Sequence, residues 1–463
     1  MVTEVKEIRE QFNPANISEC IGKIELHSAQ ETIEKIEASE KAFEQWKKVS
    51  SVTRGEILRI AADLLIENMQ PLAELASKEM GKTVPEMIGE VKRGASILRY
   101  FSQEGMRAAG EVLPSATEGK MLYTKRVPLG VVAAITPWNF PIAIPLWKMA
   151  PALIYGNTVV WKPSIEVALT GQYIADIFKQ AGLPEHVLNI VQGRGSKLGK
   201  VLVESPKVKA ITFTGSNDVG QTILDTAGPM KKKIQLELGG KNAAIILADA
   251  DLDLAARLTV EGAMKQTGQR CTATSRVYIE SSIYEQAIEK IITYAKQIKV
   301  GETMGPLASK NQYDNVLAHI QKAQEQGAKL LYGGKAVKEK GQGYYVEPTL
   351  FADVTHEMDL AKEEVFGPVL AIMKVTDYEE AIRLSNDSEF GLSASIYTTN
   401  IQKAFDFIER SEVGLVQVND ETGGAEPQAP FGGMKNSSTG AREQGQAAKE
   451  FFTVTKTITI NTN

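Results

Sequence analysis

The sequence predicts an α/β protein: two units of mostly parallel sheet covered by helices, with a β-arm added. Three observations carry this. From Gly130 onward, short apolar runs alternate with helical segments, as in a parallel sheet buried on both faces. The alternation starts afresh at Leu254. The tail, Phe452 to Ile460 (F-T-V-T-K-T-I-T-I), alternates strictly but has no strand beside it in sequence. It must pair with Lys120 to Val127 or with another subunit.

The front of the chain is helical. Ser28-x-x-Glu31 is a capping box opening a helix with Ile33, Ile36 and Phe43 on one face. Arg54 to Asn68 reads as a second helix, and Val84 to Ala108 as one or two more. These carry no visible chemistry and are assigned to packing.

Lys120 to Val127 alternates like a half-exposed strand. Strands follow at Gly130 to Ile135, Asn157 to Trp161, Val187 to Val191 and Val208 to Phe213. Helices fit at Pro145 to Tyr155, Ala168 to Ala181, Ser196 to Glu204 and from Val219. In such a sheet, ligands sit beyond the carboxyl ends of the strands. Those ends carry T-P-W-N-F-P (Thr136 to Pro141), Lys162-Pro163-Ser164, Gly193-Arg194-Gly195 and Thr214-Gly215-Ser216. Gly215-x-x-x-x-Gly220 opens a helix whose free N–H groups suit a phosphate, although it is not the G-x-G-x-x-G fingerprint. Glu237-Leu238-Gly239-Gly240-Lys241-Asn242 sets two glycines beside an acid, bringing backbone close to a ligand. Taken alone it reads sooner as a loop with a solvated glutamate. In the second unit, helices fit at Ile283 to Ile298, Asn311 to Gly327, Tyr378 to Ser385 and Ile401 to Ser411. Its strands fit at Ser275 to Glu280, Ala328 to Tyr332, Val369 to Val375, Ser393 to Thr398 and Val413 to Val418.

Composition narrows the function. The chain has 463 residues and a net charge of −5 with acids and bases interspersed, which advertises neither nucleic acid nor an anionic membrane as partner. The charged N-terminus lacks the apolar core of a signal peptide. Cys20 and Cys271 are the only thiols, so a reducing, cytoplasmic location is predicted. His27, His186, His319 and His356 stand at no metal-ligand spacing, and no metal is predicted.

Cys271 lies in Gly268-Gln269-Arg270-Cys271-Thr272-Ala273-Thr274, between a helical run and a strand. A lone cysteine is usually an inert buried residue. What changes that reading is its company. T-P-W-N-F-P, W-K-P-S, F-T-G-S, L-E-L-G-G-K, G-Q-R-C, E-E-V-F-G-P and the late P-F-G-G-M-K (Pro430 to Lys435) occur in this order. Over nearly its whole length the chain resembles the aldehyde dehydrogenase superfamily.

The resemblance implies a Rossmann-like dinucleotide-binding domain (1–118 and 129–236) and a second α/β domain with the nucleophilic cysteine (237–435). A β-arm and tail (119–128 and 436–463) would join subunits into a homodimer or homotetramer. It implies Cys271 as nucleophile, Asn139 as the side-chain half of an oxyanion hole and Glu237 as general base. Around the dinucleotide it implies Lys162 at the adenosine ribose and Gly215 and Ser216 at the pyrophosphate, with Ile135, Trp138, Ser164, Gly195 and Gly199 as further cofactor-binding residues. Glu364 would meet the nicotinamide ribose, and Phe366 would pack near the ring.

The chemistry is coherent on its own terms. A thiolate attacks an aldehyde carbonyl, and because a free thiol has a pKa of about 8.5, a base or a field must help. One oxyanion donor is worth roughly 3 kcal/mol in the barrier. The thioester that remains must be cleaved by water, which suits a carboxylate of raised pKa. NAD-preferring relatives carry a glutamate three residues after the lysine, where this chain has Ile165 with Glu166 one further on. Ser164 and Lys162 remain to meet a 2′-phosphate, so NADP is predicted over NAD. The stretch from Met264 to Arg276 is similar to dehydrogenases of semialdehydes, especially 2,5-dioxopentanoate. The alternatives are succinate semialdehyde or a broad range of aliphatic aldehydes, a silent protein on the same fold, and a cysteine hydrolase. A carboxylated aldehyde needs a cation. Lys265 is predicted first, then Arg270, with Arg276 also near; each reads equally as a solvated charge. Relatives usually carry a loop between Ile298 and Gly305 longer by about ten residues, so packing there is expected to differ.

Overall fold

The computed structural model describes residues 6–338 and 341–461. The first five residues, part of the charged N-terminus read above, lie outside them. Six strands form one sheet, in the order Ser438–Thr439, Lys233–Glu237, Val208–Thr214, Val131–Ile135, Thr158–Lys162, Leu188–Ile190. All neighbours are parallel except Ser438–Thr439, which lies antiparallel to Leu236 and Glu237. Val131–Ile135 and Thr158–Lys162 are buried at every residue, as strands covered by helices on both faces must be. Chain order reverses between Val131–Ile135 and Val208–Thr214. The crevice beyond their carboxyl ends is therefore the place for a ligand.

A second sheet has seven strands: Lys329–Tyr332, Thr349–Ala352, Val369–Val375, Thr274–Glu280, Asn242–Ile246, Ser393–Tyr397, Leu415–Val418. Only Lys329–Tyr332 is antiparallel. The two sheets meet end to end. The strand Lys233–Glu237 closes on Glu237, the turn Leu238-Gly239-Gly240-Lys241 follows, and Asn242–Ile246 begins the other sheet. Carboxyl ends of the first sheet thus face amino ends of the second, where Asn242 pairs with Thr274.

The tail strand Thr453–Asn461 lies antiparallel to Lys120–Pro128, Thr453 opposite Pro128 and Asn461 opposite Lys120. Of the two pairings open to the tail, the one within the chain forms. Val112–Leu113 completes this three-stranded arm. The arm begins only at Thr453, however. Residues assigned with it by sequence belong to the body: Ser438–Thr439 extends the six-stranded sheet, and the helix Ala447–Phe452 packs Phe451 and Phe452 into the core against Ala143–Ile154. Two apolar side chains in a row cannot face solvent on a projecting ribbon.

Other elements also depart from the sequence reading. The periodicity predicts only helices at the front, whereas the chain opens on a hairpin, Ile8–Asn13 with Asn16–Glu25. Its strands carry charged residues on the open face, which hides the alternation. The helix Met69–Met80 and the strands Lys233–Glu237 and Thr349–Ala352 are likewise unpredicted. Between Lys299 and Met304 the short connection closes on itself. The Lys299 N–H donates to the Thr303 hydroxyl at 2.9 Å, the Gly301 N–H donates to the Met304 carbonyl at 2.8 Å, and Met304 is fully buried.

Candidate active site

Cys271 follows a turn that the surroundings must enforce. Gln266, Thr267 and Gly268 have φ of 56°, 59° and 66°, three left-handed residues in succession. Such a conformation costs of order 1 kcal/mol or more per non-glycine residue. Three groups hold it. Glu86 Oε1 accepts the Gln266 N–H at 2.7 Å, the Thr267 hydroxyl donates to the Gly305 carbonyl at 2.9 Å, and Gln269 Oε1 accepts the Ala308 N–H at 2.9 Å. The other oxygen of Glu86 completes a capping box with Thr83, so one carboxylate starts the helix Val84–Glu104 and pins the cysteine turn.

The Cys271 side chain is half-buried. Its carbonyl accepts from the Asn242 amide at 2.7 Å, which fixes it to the start of the second sheet. Burial, then the charges of Glu364 and Glu237, push the thiol pKa up to about 12. At rest the group is a thiol. Asn139, 4% exposed, donates one amide hydrogen to the Gln269 carbonyl at 3.1 Å. Its second amide hydrogen remains, and its Oδ1 is buried without a partner.

Glu237 ends its strand 3% exposed, and its Oε2 accepts from the Ser438 hydroxyl at 2.6 Å. Burial, then the neighbouring Glu443, raise its pKa well above the carboxylate range. Glu443 forms a buried ion pair with Lys148, and Thr212 bridges to both. Gly432 allows the close approach: a Cβ there would lie 2.8 Å from Glu237 Oε1, at a φ of 151°. Glu364 is the second acid whose charge reaches the sulfur. Its Oε1 accepts the Gly240 N–H at 3.1 Å, and burial raises its pKa to about 7. Gly239 is as constrained as Gly432, since a Cβ there would sit 2.6 Å from Glu364 Oε2. Phe366, at φ 53°, meets the Trp138 ring edge-on at 5.5 Å.

The remaining predicted residues line the crevice of the first sheet. Ile135 ends its strand beside Lys162 and Phe213. Lys162 is 4% exposed, its Nζ donates only to the Pro163 carbonyl, and burial lowers its pKa to about 8. Gly195 faces it, so that a Cβ there would touch the lysine end, while Gly199 opens on space. Gly215 packs over the Phe213 ring, and Ser216 precedes the helix Asn217–Ala227 without capping it through its side chain. The Ser164 hydroxyl is hydrogen-bonded to Glu166, whose other oxygen lies 4.0 Å from Arg9. A groove of about 980 Å³ joins Asp218, in the first turn of that helix, to Glu363, Glu364 and Phe390. An uncapped helix start, a buried lysine with one backbone partner, an aromatic pair and a carboxylate at the far end fit a dinucleotide.

The cations predicted for the substrate are committed elsewhere. Arg270 is 7% exposed; it donates to the Gly262 carbonyl and pairs with Glu421 at 3.0 Å. Lys265 pairs with Glu261 at 2.9 Å and with Glu421 at 3.2 Å. Arg276 is buried against the Lys241 and Ser385 carbonyls and the Tyr278 hydroxyl. Closeness in sequence to Cys271 misleads here because Glu421, from a distant loop, neutralises the first two. The histidines engage other groups: His356 pairs with Asp387, His319 with Glu363, and His27 accepts the Gln192 N–H. Among the described residues no cluster of histidine, cysteine and acid side chains is arranged for a metal, and no helix is long and apolar enough to cross a membrane.

Lys148, Ser438 and Glu443 were not foreseen. Lys148 did leave a signal: a lone charge in the apolar run A-I-P-L-W-K-M-A must be paired once buried. Ser438 and Glu443 left none.

The aldehyde dehydrogenase family model matches residues 2–458. An alpha-ketoglutaric semialdehyde dehydrogenase of Bacillus subtilis (strain 168) is 49% identical over 97% of this chain and 93% of its own. A 2,5-dioxopentanoate dehydrogenase of Saccharolobus solfataricus is 41% identical over 96% of this chain and 95% of its own. The crystal structure of betaine aldehyde dehydrogenase from Staphylococcus aureus in complex with NAD+ superposes with a TM-score of 0.96 at 32% identity, covering 99% of this chain and 92% of that one.

Proposed function

This chain belongs to the aldehyde dehydrogenase family, an oxidoreductase that acts on aldehydes with a nicotinamide dinucleotide, and from that premise we propose that it oxidises a short aldehyde bearing a distal carboxylate, 2,5-dioxopentanoate in particular. The chemistry rests on one arrangement: a single thiol between a buried carboxylate and an amide with a hydrogen to spare. The substrate rests on the two semialdehyde dehydrogenases that share 49% and 41% of their residues with this chain.

Cys271 adds to the aldehyde carbon as its proton passes to a base. The second amide hydrogen of Asn139 and the Cys271 backbone N–H hold the oxygen that becomes negative, each worth roughly 3 kcal/mol in the barrier. Lys162, Ser164, Gly195, Gly199, Gly215 and Ser216 hold the adenosine and phosphate end of the dinucleotide; Ile135, Trp138, Glu364 and Phe366 hold the other. A nicotinamide dinucleotide held by these residues would supply the hydride acceptor for the carbon that Cys271 attacks. Glu237, whose raised pKa suits proton removal from water, then promotes cleavage of the Cys271 thioester.

NADP serves at least as well as NAD in this reading, because the Glu166 carboxylate is occupied by Ser164 and Arg9 while Lys162 keeps its charge for a 2′-phosphate. Its electrostatic reach to Lys162 limits the preference. A panel of aldehydes with and without a distal carboxylate, assayed with NAD and with NADP, tests both parts. Equal kcat/KM for carboxylated and plain aldehydes sinks the substrate, and a strong bias to NAD sinks the cofactor.

The enzyme also self-associates, in this proposal, through the arm, as a homodimer or homotetramer in the cytoplasm. The arm leaves Val112 82%, Met121 51% and Ile460 43% exposed, more apolar surface than a free ribbon normally shows. Sedimentation velocity is the check; a monomer at micromolar concentration removes it.

A further inference from the structure

Building on the reading that the substrate carries a distal carboxylate, we propose that Arg93 is the residue that receives it. Arg93 lies on the helix Val84–Glu104, the same helix whose Glu86 pins the turn before Cys271. Its guanidinium stands 5.6 Å from the centroid of the Trp147 ring. Trp147 in turn packs on Phe431 at 5.2 Å, and Cys271 lies against the same apolar cluster. Arg93 thus stands over an aromatic pair that belongs to the core against which Cys271 packs.

What sets Arg93 apart is that its charge is unspent. Among the described residues it has no hydrogen-bond or ion-pair partner, and its Nε is buried and unsatisfied. The nearest acid in charge terms, Glu90, is already used: Oε2 pairs with Lys82 at 2.8 Å, and Oε1 accepts the Ile142 and Ala143 N–H groups at 2.9 and 3.1 Å. Trp147 Nε1 is also buried without a partner, so two kinds of donor wait in one place. Arg270 and Arg276 show how this chain treats a cation it buries. A half-buried guanidinium whose Nε is sealed off without an acceptor is costly unless an anion arrives, and its planar fork matches a carboxylate in two hydrogen bonds.

A five-carbon acid asks for only a short span between nucleophile and anchor, and the helix that carries Arg93 is tied through Glu86 to the turn before Cys271. Extended 2,5-dioxopentanoate places its aldehyde carbon and carboxylate carbon about 5 Å apart, four C–C bonds away. Arg93 is thus a specificity residue that binds the inert end of the substrate while Cys271 acts on the reactive end.

The test is the ratio of kcat/KM for 2,5-dioxopentanoate to that for pentanal, an uncharged chain of the same length, at saturating dinucleotide. Arg93→Met should lower this ratio about a hundredfold, mainly through KM for the acid. Arg93→Lys, which keeps the charge but loses the fork, should fall between and serves if the methionine variant folds poorly. An independent readout needs no turnover: 2-oxoglutarate should protect Cys271 from iodoacetamide in the parent enzyme and far less in Arg93→Met. A parent-like ratio or parent-like protection in both variants overturns the assignment of Arg93. A parent enzyme with no preference for the acid overturns the carboxylate reading itself, and this inference with it.

Discussion

Glu237 and Glu364 both act on the charge of the Cys271 thiol, and their own surroundings treat them differently. On the groove side, Glu364 accepts a backbone N–H from Gly240 and lies near Lys241, so its pKa is raised only to about 7. Glu237, by contrast, has one hydroxyl, from Ser438, and a second acid, Glu443, near it. Burial dominates at both, and the neighbours set the difference. One carboxylate, at about 7, ionises within the neutral range and suits holding hydroxyls. The other grips its proton and suits moving one.

Converting each to its amide sharpens that contrast. Glu237→Gln should give the largest effect, a fall in kcat of roughly 10²–10³-fold for every aldehyde. The sign in pH follows from the raised pKa: activity of the parent should climb as Glu237 deprotonates, and that limb should vanish in the variant. An unchanged pH–rate profile would place the base elsewhere. Glu364→Gln should do less to turnover and more to the thiol. With one negative charge gone, the Cys271 pKa drops from about 12, and the thiolate fraction at pH 8 rises. Alkylation by iodoacetamide, followed at the Cys271 peptide, should quicken severalfold, up to about tenfold. Slower or unchanged alkylation would mean that the two acids do not share the sulfur.

Much of this was readable beforehand, and the failures have a pattern. The two parallel sheets followed from fully apolar runs such as V-V-A-A-I, which admit no exposed face. Cys271, Asn139, Glu237 and Glu364 stand in motifs at element ends, and the structure draws them together because the carboxyl edge of one sheet meets the amino edge of the other. Groups that act through a distant partner were hidden. Lys265 and Arg270 looked free because Glu421 is some 150 residues away along the chain. Arg93 drew no reading at all, since only tertiary structure sets it over Trp147. The strand Lys233–Glu237, in a run of lysines, gave no clean period.

The edge strand Ser438–Thr439 carries a consequence for how the protein is made. It supplies the hydroxyl on Glu237 and closes the first sheet, yet it leaves the ribosome after nearly everything else. Synthesis runs from the amino end, and early domains can fold as they emerge. Here the early half must wait, its last strand position open, while the later half is translated. A nascent chain halted near residue 430 would hold every motif upstream of its arrest and still lack a finished reaction centre.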